Sequence, residues 1–253
     1  MKVLVTGAAG YIGSVVAREL SKVHEVTGTD VRPMPDLENS VVLNLNDTTA
    51  LHSAMKGKDA ICHIAWPMGK WSKEVEGDFT GMGLGVRGTF QLLKSAVSQG
   101  IKRVIFQSTI NIIEASSDSW RITEEERPRP GIADYTLSKT LIEEMCRGFA
   151  RVNPLTIAVF RIGGVPTLEE PGHEKAHPAR HYIPSSCVER RDIAQAYDLA
   201  LTRPLPSRFE VFHIFHNRPG SRFPIDKAKT ILGYAPRYNF EDVWQVDASE
   251  QSE

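Results

Sequence analysis

The chain has 253 residues, enough for one α/β domain with a sizeable core and too few for two full independent ones. Its 30 Lys and Arg residues balance 31 Asp and Glu, a formal net charge of -1, so neither nucleic acid nor an acidic membrane is indicated and a small-molecule substrate fits better. Cys62, Cys146 and Cys187 lie far apart without a C-x-x-C pair, which argues against a disulfide framework or a metal site and for a reducing cytoplasm.

The first apolar run, Val3 to Thr6, is far too short for a secretory core or a membrane span and reads as a strand. It runs into "VTGAAGYIGS", where Gly7, Gly10 and Gly13 form G-x-x-G-x-x-G ahead of a helix at Ile12 to Leu20. A glycine turn between a strand and a helix lets a pyrophosphate meet backbone N–H groups and the positive helix end. The second strand, Glu25 to Thr29, is closed by Asp30, about twenty residues on. A carboxylate there accepts from the adenosine ribose hydroxyls and repels a 2′-phosphate, so the expected cofactor is NAD rather than NADP, a preference that Arg32 softens.

Further strands are expected at Val41 to Leu43, Ala60 to Ala65, Val104 to Ser108 and Thr156 to Ile162. Helices with apolar residues three and four apart are expected at Thr48 to Met55, Val86 to Val97 and Thr136 to Ala150. The alternation implies an α/β fold, a doubly wound parallel sheet with a small C-terminal substrate-side region. Asn153-Pro154 stops the long helix, because the residue before proline avoids the α region and proline cannot continue the ladder. Residues 1–165 are expected to form the dinucleotide-binding core. Residues 166–253 form the smaller region, interleaved with the core through a helix at Asp192 to Leu201, and the polar tail "DASEQSE" is expected to fray.

"DYTLSK", residues 134 to 139, places Tyr135 and Lys139 four apart on one helix face. A phenol ionises near pH 10, and a nearby ammonium together with an oxidised nicotinamide favours the phenolate, which can take a proton from a substrate hydroxyl. Thr109, after Ser108 at the end of "RVIFQS", is placed to orient the same oxygen. On composition alone, Tyr135 and Lys139 are also an ordinary helix-surface pair.

Together these motifs resemble the extended short-chain dehydrogenase/reductases, the NAD-dependent epimerase/dehydratase family. The resemblance rests on Thr6 to Gly13, Asp30, the adenine-side string Asn44-Leu45-Asn46-Asp47, and His63-Ile64-Ala65. It continues through Ser108-Thr109, Tyr135 to Lys139, Arg161-Ile162-Gly163-Gly164, "RDIA" at 191 to 194 and "ILGYAP". It implies Thr109, Tyr135 and Lys139 as catalytic residues. It also implies cofactor contacts from Gly7, Gly10, Tyr11, Ile12, Gly13, Asp30, Asn44, Leu45, Ile64, Ala65, Ser108, Tyr135, Lys139 and Ile162, and a homodimer through the helices at Val86 to Val97 and Thr136 to Ala150. Two positions depart from the family pattern. Gly85 stands where an asparagine steadies the central helix and a proton-relay water, and Asn44 replaces the first aspartate of the adenine motif.

The chain lacks the longer C-terminal region of nucleotide-sugar enzymes, and its "STIN" and "RIGG" strings are similar in part to uronate dehydrogenases, though Gly164 and Ile110-Asn111 differ from them. The expected activity is NAD-dependent oxidation or epimerisation of a sugar or sugar derivative, either a nucleotide-sugar or a free sugar acid. A non-catalytic dinucleotide sensor and a reductase of non-sugar carbonyls are the other readings. Trp66, Asn111 and Arg180 are the candidate substrate contacts, with Met68 and Trp71 as possible lid residues; Arg180 offers a bidentate partner for a carboxylate. His173, His177 and His181 fall four apart, but Pro178 interrupts their helix and no metal site is expected.

Overall fold

The computed structural model describes residues 1–67, 81–113, 121–166 and 186–240. Seven strands, β1 (Lys2–Thr6), β2 (Glu25–Asp30), β3 (Ser40–Val42), β4 (Ala60–His63), β5 (Arg103–Thr109), β6 (Thr156–Ile162) and β7 (Phe209–His213), form one sheet in the order β3-β2-β1-β4-β5-β6-β7. Every pairing is parallel. The connecting helices are α1 (Gly13–Leu20), α2 (Thr48–Met55), α3 (Arg87–Ser98), α4 (Asp134–Val152) and α5 (Arg190–Thr202).

Alternation along β1 sorts the core into two layers. Val3 and Val5 pack with Val16 and Leu20 of α1 and Ile193 and Tyr197 of α5. Leu4 points the other way, into Leu51 and Met55 of α2, Leu92 and Leu93 of α3, and Ile142 and Cys146 of α4. His24, just after α1, meets Asp198 of α5 at 2.8 Å. Between β6 and α4, Arg161 and Glu143 form an ion pair at 2.9 Å with both side chains 1% exposed. Arg161 also donates to the carbonyls of Glu124 and Glu126, the additional bonding that a buried pair needs to offset its desolvation.

All the anticipated strands and helices are present, with shifted ends. β4 stops at His63 rather than Ala65, because Thr6 Oγ1 accepts the N–H groups of Ile64 and Ala65 and so ends the ladder. β7 was not anticipated. Its "FEVFH" is short and carries Glu210, whose carboxylate is taken up by Lys227 at 2.9 Å. The chain leaves β1 toward β2 and β3 on one side and returns to β4 on the other. The crevice at that reversal, outside the carboxyl ends of β1 and β4, is where such sheets bind ligands.

Candidate active site

A cavity of about 960 Å³ opens at this reversal, and the glycine turn forms its floor. Gly7 has φ of 75°, and a Cβ there would lie 2.7 Å from the backbone nitrogen of Ala65. Gly10 donates its N–H to the Gly7 carbonyl at 2.8 Å, and a Cβ on Gly13 would overlap that same carbonyl. The turn is therefore packed backbone against backbone, and glycine is required where it doubles back. The ring of Tyr11 lies under the Arg190 guanidinium at 4.2 Å, and its hydroxyl donates to the Val165 carbonyl. Ile12 precedes α1 and lines the cavity.

At the end of β2, Asp30 accepts from the N–H of Ala9 and of Arg32, each at 3.1 Å. Arg32 Nη2 donates to the Ala9 carbonyl at 2.6 Å, so a carboxylate and a guanidinium stand together at this end of the cavity. Asn44 and Leu45 line it next. The Asn44 side-chain carbonyl already accepts from Asn46 N at 2.9 Å, and Asp47 caps α2 through Thr49 and Ala50. Ile64 and Ala65 form the facing wall.

At the opposite end, β5 delivers Ser108 and Thr109, and α4 delivers Tyr135 and Lys139. The Thr109 side chain lies beside the Tyr135 phenol and favours its ionised form, while Thr109 Oγ1 accepts from Asn111 N at 3.3 Å. Lys139 is 3% exposed, and its Nζ donates to the Gln107 carbonyl at 2.8 Å. Burial pushes its ammonium down to about 7, against the opposing pull of Glu143 and Cys146. Burial raises the Tyr135 phenol, partly offset by the neighbouring Thr109 side chain. In the chain alone, then, the net shift of Tyr135 is away from the phenolate, and the positive charge that an oxidised nicotinamide brings with it acts in the opposite direction. Asp134, one residue earlier, receives the N–H groups of Gly81 and Met82 and so pins the π-helical turn Gly81–Val86 to the start of α4.

Thr109, Tyr135 and Lys139 do not line the large cavity, whereas Trp66, Gly85 and Gln107 do. The Trp66 ring meets Tyr135 edge-on, with centroids 5.4 Å apart, and the Lys139 ammonium lies 4.2 Å from its centroid. Ile162 ends β6 in register with Thr109. The two glycines that follow it also have a packing reason. A Cβ on Gly163 would strike the Ser186 carbonyl, and one on Gly164 would come within 2.9 Å of Cys187 Sγ. Asn111 is exposed in the turn after β5, and Arg180, Met68, Trp71 and the three spaced histidines lie outside the described residues. Gln107 was missed from sequence; its place at the carboxyl end of the central strand was the signal available.

The site has a shape and polarity suited to a dinucleotide. The glycine turn, folded tightly on its own backbone, lines one end of the cavity through Gly7, Gly10 and Gly13. The Gln107 Oε1, Ser108 Oγ and Thr29 Oγ1 atoms are buried with no hydrogen-bond partner among the described residues.

Comparison with known proteins agrees with this geometry. Residues 3–185 match the NAD dependent epimerase/dehydratase family. An L-arabinose 1-dehydrogenase (NAD(P)(+)) of Haloferax volcanii is 26% identical over 94% of this chain and 97% of its own length. A uronate dehydrogenase of Pseudomonas syringae pv. tomato is 28% identical over 95% and 83%. Among solved structures, a glucuronic acid dehydrogenase from Chromohalobacter salexigens superposes with a TM-score of 0.80 at 24% identity, covering 100% of this chain and 90% of that one, a likeness of fold. With the glycine turn, the closing carboxylate and the Thr109, Tyr135 and Lys139 group in place, and with 183 of the 253 residues inside the matched span 3–185, the chain belongs to the NAD dependent epimerase/dehydratase family.

Proposed function

We propose that this chain is an NAD-dependent dehydrogenase of a free sugar or sugar acid, oxidising one carbinol carbon. The observation that carries the reading is the convergence of Thr109, at the end of β5, with Tyr135 and, one helical turn on, the buried Lys139 whose ammonium is held by the Gln107 carbonyl. When bound, NAD supplies the hydride acceptor. Thr109 orients the substrate hydroxyl, and Tyr135 Oη takes its proton. Lys139 Nζ uses one of its three donors on Gln107, leaving the others to hold the cofactor ribose and favour the phenolate. Asp30 selects the ribose diol, and the glycine turn receives the pyrophosphate. Ser108 and Ile162 support the nicotinamide end, and Trp66 and Asn111 stand on the substrate side.

The names of the full-length relatives support a free aldose or uronic acid over a nucleotide-sugar. The Phe90 and Leu141 side chains, 42% and 40% exposed on α3 and α4, support a homodimer through those helices. The three cysteines, all buried, fit a reducing cytoplasm. A panel of free aldoses, uronic acids and UDP-sugars with NAD tests the reading through cofactor absorbance. Reduced cofactor should accumulate with an aldose or uronic acid. Turnover of UDP-sugars alone, or of no sugar at all, contradicts it.

A further inference from the structure

Trp66 sits where three parts of the site converge. A Cβ built on Gly85 would lie 2.8 Å from Trp66 Cζ3 and 3.0 Å from its Cη2, so the six-membered ring rests on a backbone that only glycine leaves bare. That backbone is held in place. The Gly85 carbonyl accepts from Thr89 Oγ1 at 2.8 Å, Thr89 meets His63 Nε2 at 2.9 Å, and His63 Nδ1 meets Thr6 Oγ1 at 2.8 Å. The same indole faces the Lys139 ammonium at 4.2 Å, and Phe106 lies 4.9 Å from that ammonium. Lys139 is thus enclosed by two aromatic rings and one carbonyl, with 3% of its surface exposed. Among the described residues, the titratable groups acting on it are Glu143 and Cys146 on its own helix and His63 at the end of β4.

We propose that Trp66 is a positioning residue for Lys139: its indole, admitted by the absent side chain at Gly85, caps the buried ammonium and holds it beside Tyr135 in place of water. Its bearing on turnover rests on the dehydrogenase reading above, whereas the cap itself is a property of the cofactor-free chain. A desolvated ammonium over an indole face gains from the ring quadrupole, so the ring and the vacancy at residue 85 act as one unit. Enlarging residue 85 and shrinking residue 66 should therefore have the same consequence for Lys139.

The test is a ¹³C titration of labelled lysine side chains in the cofactor-free protein, with the Lys139 signal assigned by its loss in Lys139→Met. In the unaltered chain Lys139 should titrate near neutrality. Trp66→Leu keeps the wall apolar but removes the quadrupole, and should lower the Lys139 midpoint by about one pH unit. Gly85→Ala, which keeps every tryptophan, should displace the indole and move the midpoint the same way, while Trp66→Phe should restore most of it. With a turned-over substrate, kcat in Trp66→Leu should fall by about tenfold. If Gly85→Ala fails to fold, Trp66→Leu and Trp66→Phe still decide the matter. An ordinary lysine titration in the unaltered chain, or a midpoint that is unchanged or raised in Trp66→Leu, overturns the proposal. A Lys139 midpoint that responds as stated while Tyr135→Phe keeps full turnover supports the cap and overturns the dehydrogenase reading instead.

Discussion

The two ends of the cavity are built by different means. At the adenosine end the contacts are backbone contacts. Gly7 at φ of 75° presses on Ala65, Gly10 donates to Gly7, and one carboxylate closes β2. At the other end the arrangement depends on four separate segments meeting, with the Trp66 indole on the bare Gly85 backbone and the Lys139 ammonium on that indole and on the Gln107 carbonyl. Backbone-defined sites are written in local sequence, whereas side-chain packing is a tertiary outcome. A substitution at the first end should therefore disturb binding, and one at the second should disturb chemistry.

The largest effect should come from Lys139→Ala. Loss of the buried ammonium removes its ribose contact and its influence on Tyr135, so turnover should fall by about 10²–10⁴-fold and NAD affinity should weaken as well, read by steady-state kinetics and by calorimetry. An affinity loss without a loss of turnover would erase the contrast between the two ends. Next comes Gly7→Ala, which forces a Cβ into left-handed backbone at a cost of about 1–2 kcal/mol and toward Ala65 besides. Titration should show NAD binding lost, and Tm should fall by several degrees. Asp30→Ala should be milder. The NAD-over-NADP preference should shrink by about 10- to 100-fold, with Arg32 left to receive a 2′-phosphate; a higher NADP affinity in the unaltered protein would contradict the assignment of Asp30.

The last effect is on stability rather than on binding or turnover. Lys139 is held near 7 in the folded chain and lies near 10.4 when unfolded, so between those values the unfolded chain binds a proton that the folded chain lacks. Stability from this group therefore rises with pH across that window. Lys139→Met should flatten the rise in urea midpoints between about pH 7 and pH 10. An identical slope in both proteins would mean that the ammonium is not desolvated.

Most of the fold was legible in the sequence because the glycine spacing, the apolar strand runs and the helix periods are local signals. β7 was not, because "FEVFH" is short and its Glu210 depends on Lys227, a partner distant in the chain. In the site, the Thr109, Tyr135 and Lys139 group was legible as spacing. The state of the group was not, because the raised Tyr135 phenol and lowered Lys139 ammonium follow from burial. Gly85 stood out as a departure from a family pattern, yet nothing near it in sequence says that the indole of Trp66 rests against it. Gly163 and Gly164 likewise are explained only by Ser186 and Cys187, some twenty residues on.

The most direct test of the division between the two ends is a paired measurement on Tyr135→Phe, NAD affinity by calorimetry and turnover of the best sugar substrate on the same preparation. The substitution removes one hydroxyl, the one beside Thr109, and leaves the glycine turn untouched. The predicted result is an NAD Kd close to that of the unaltered chain, with turnover reduced by about 10²–10⁴-fold. Full turnover with Phe at position 135, or loss of turnover only in proportion to a loss of NAD affinity, would contradict the account.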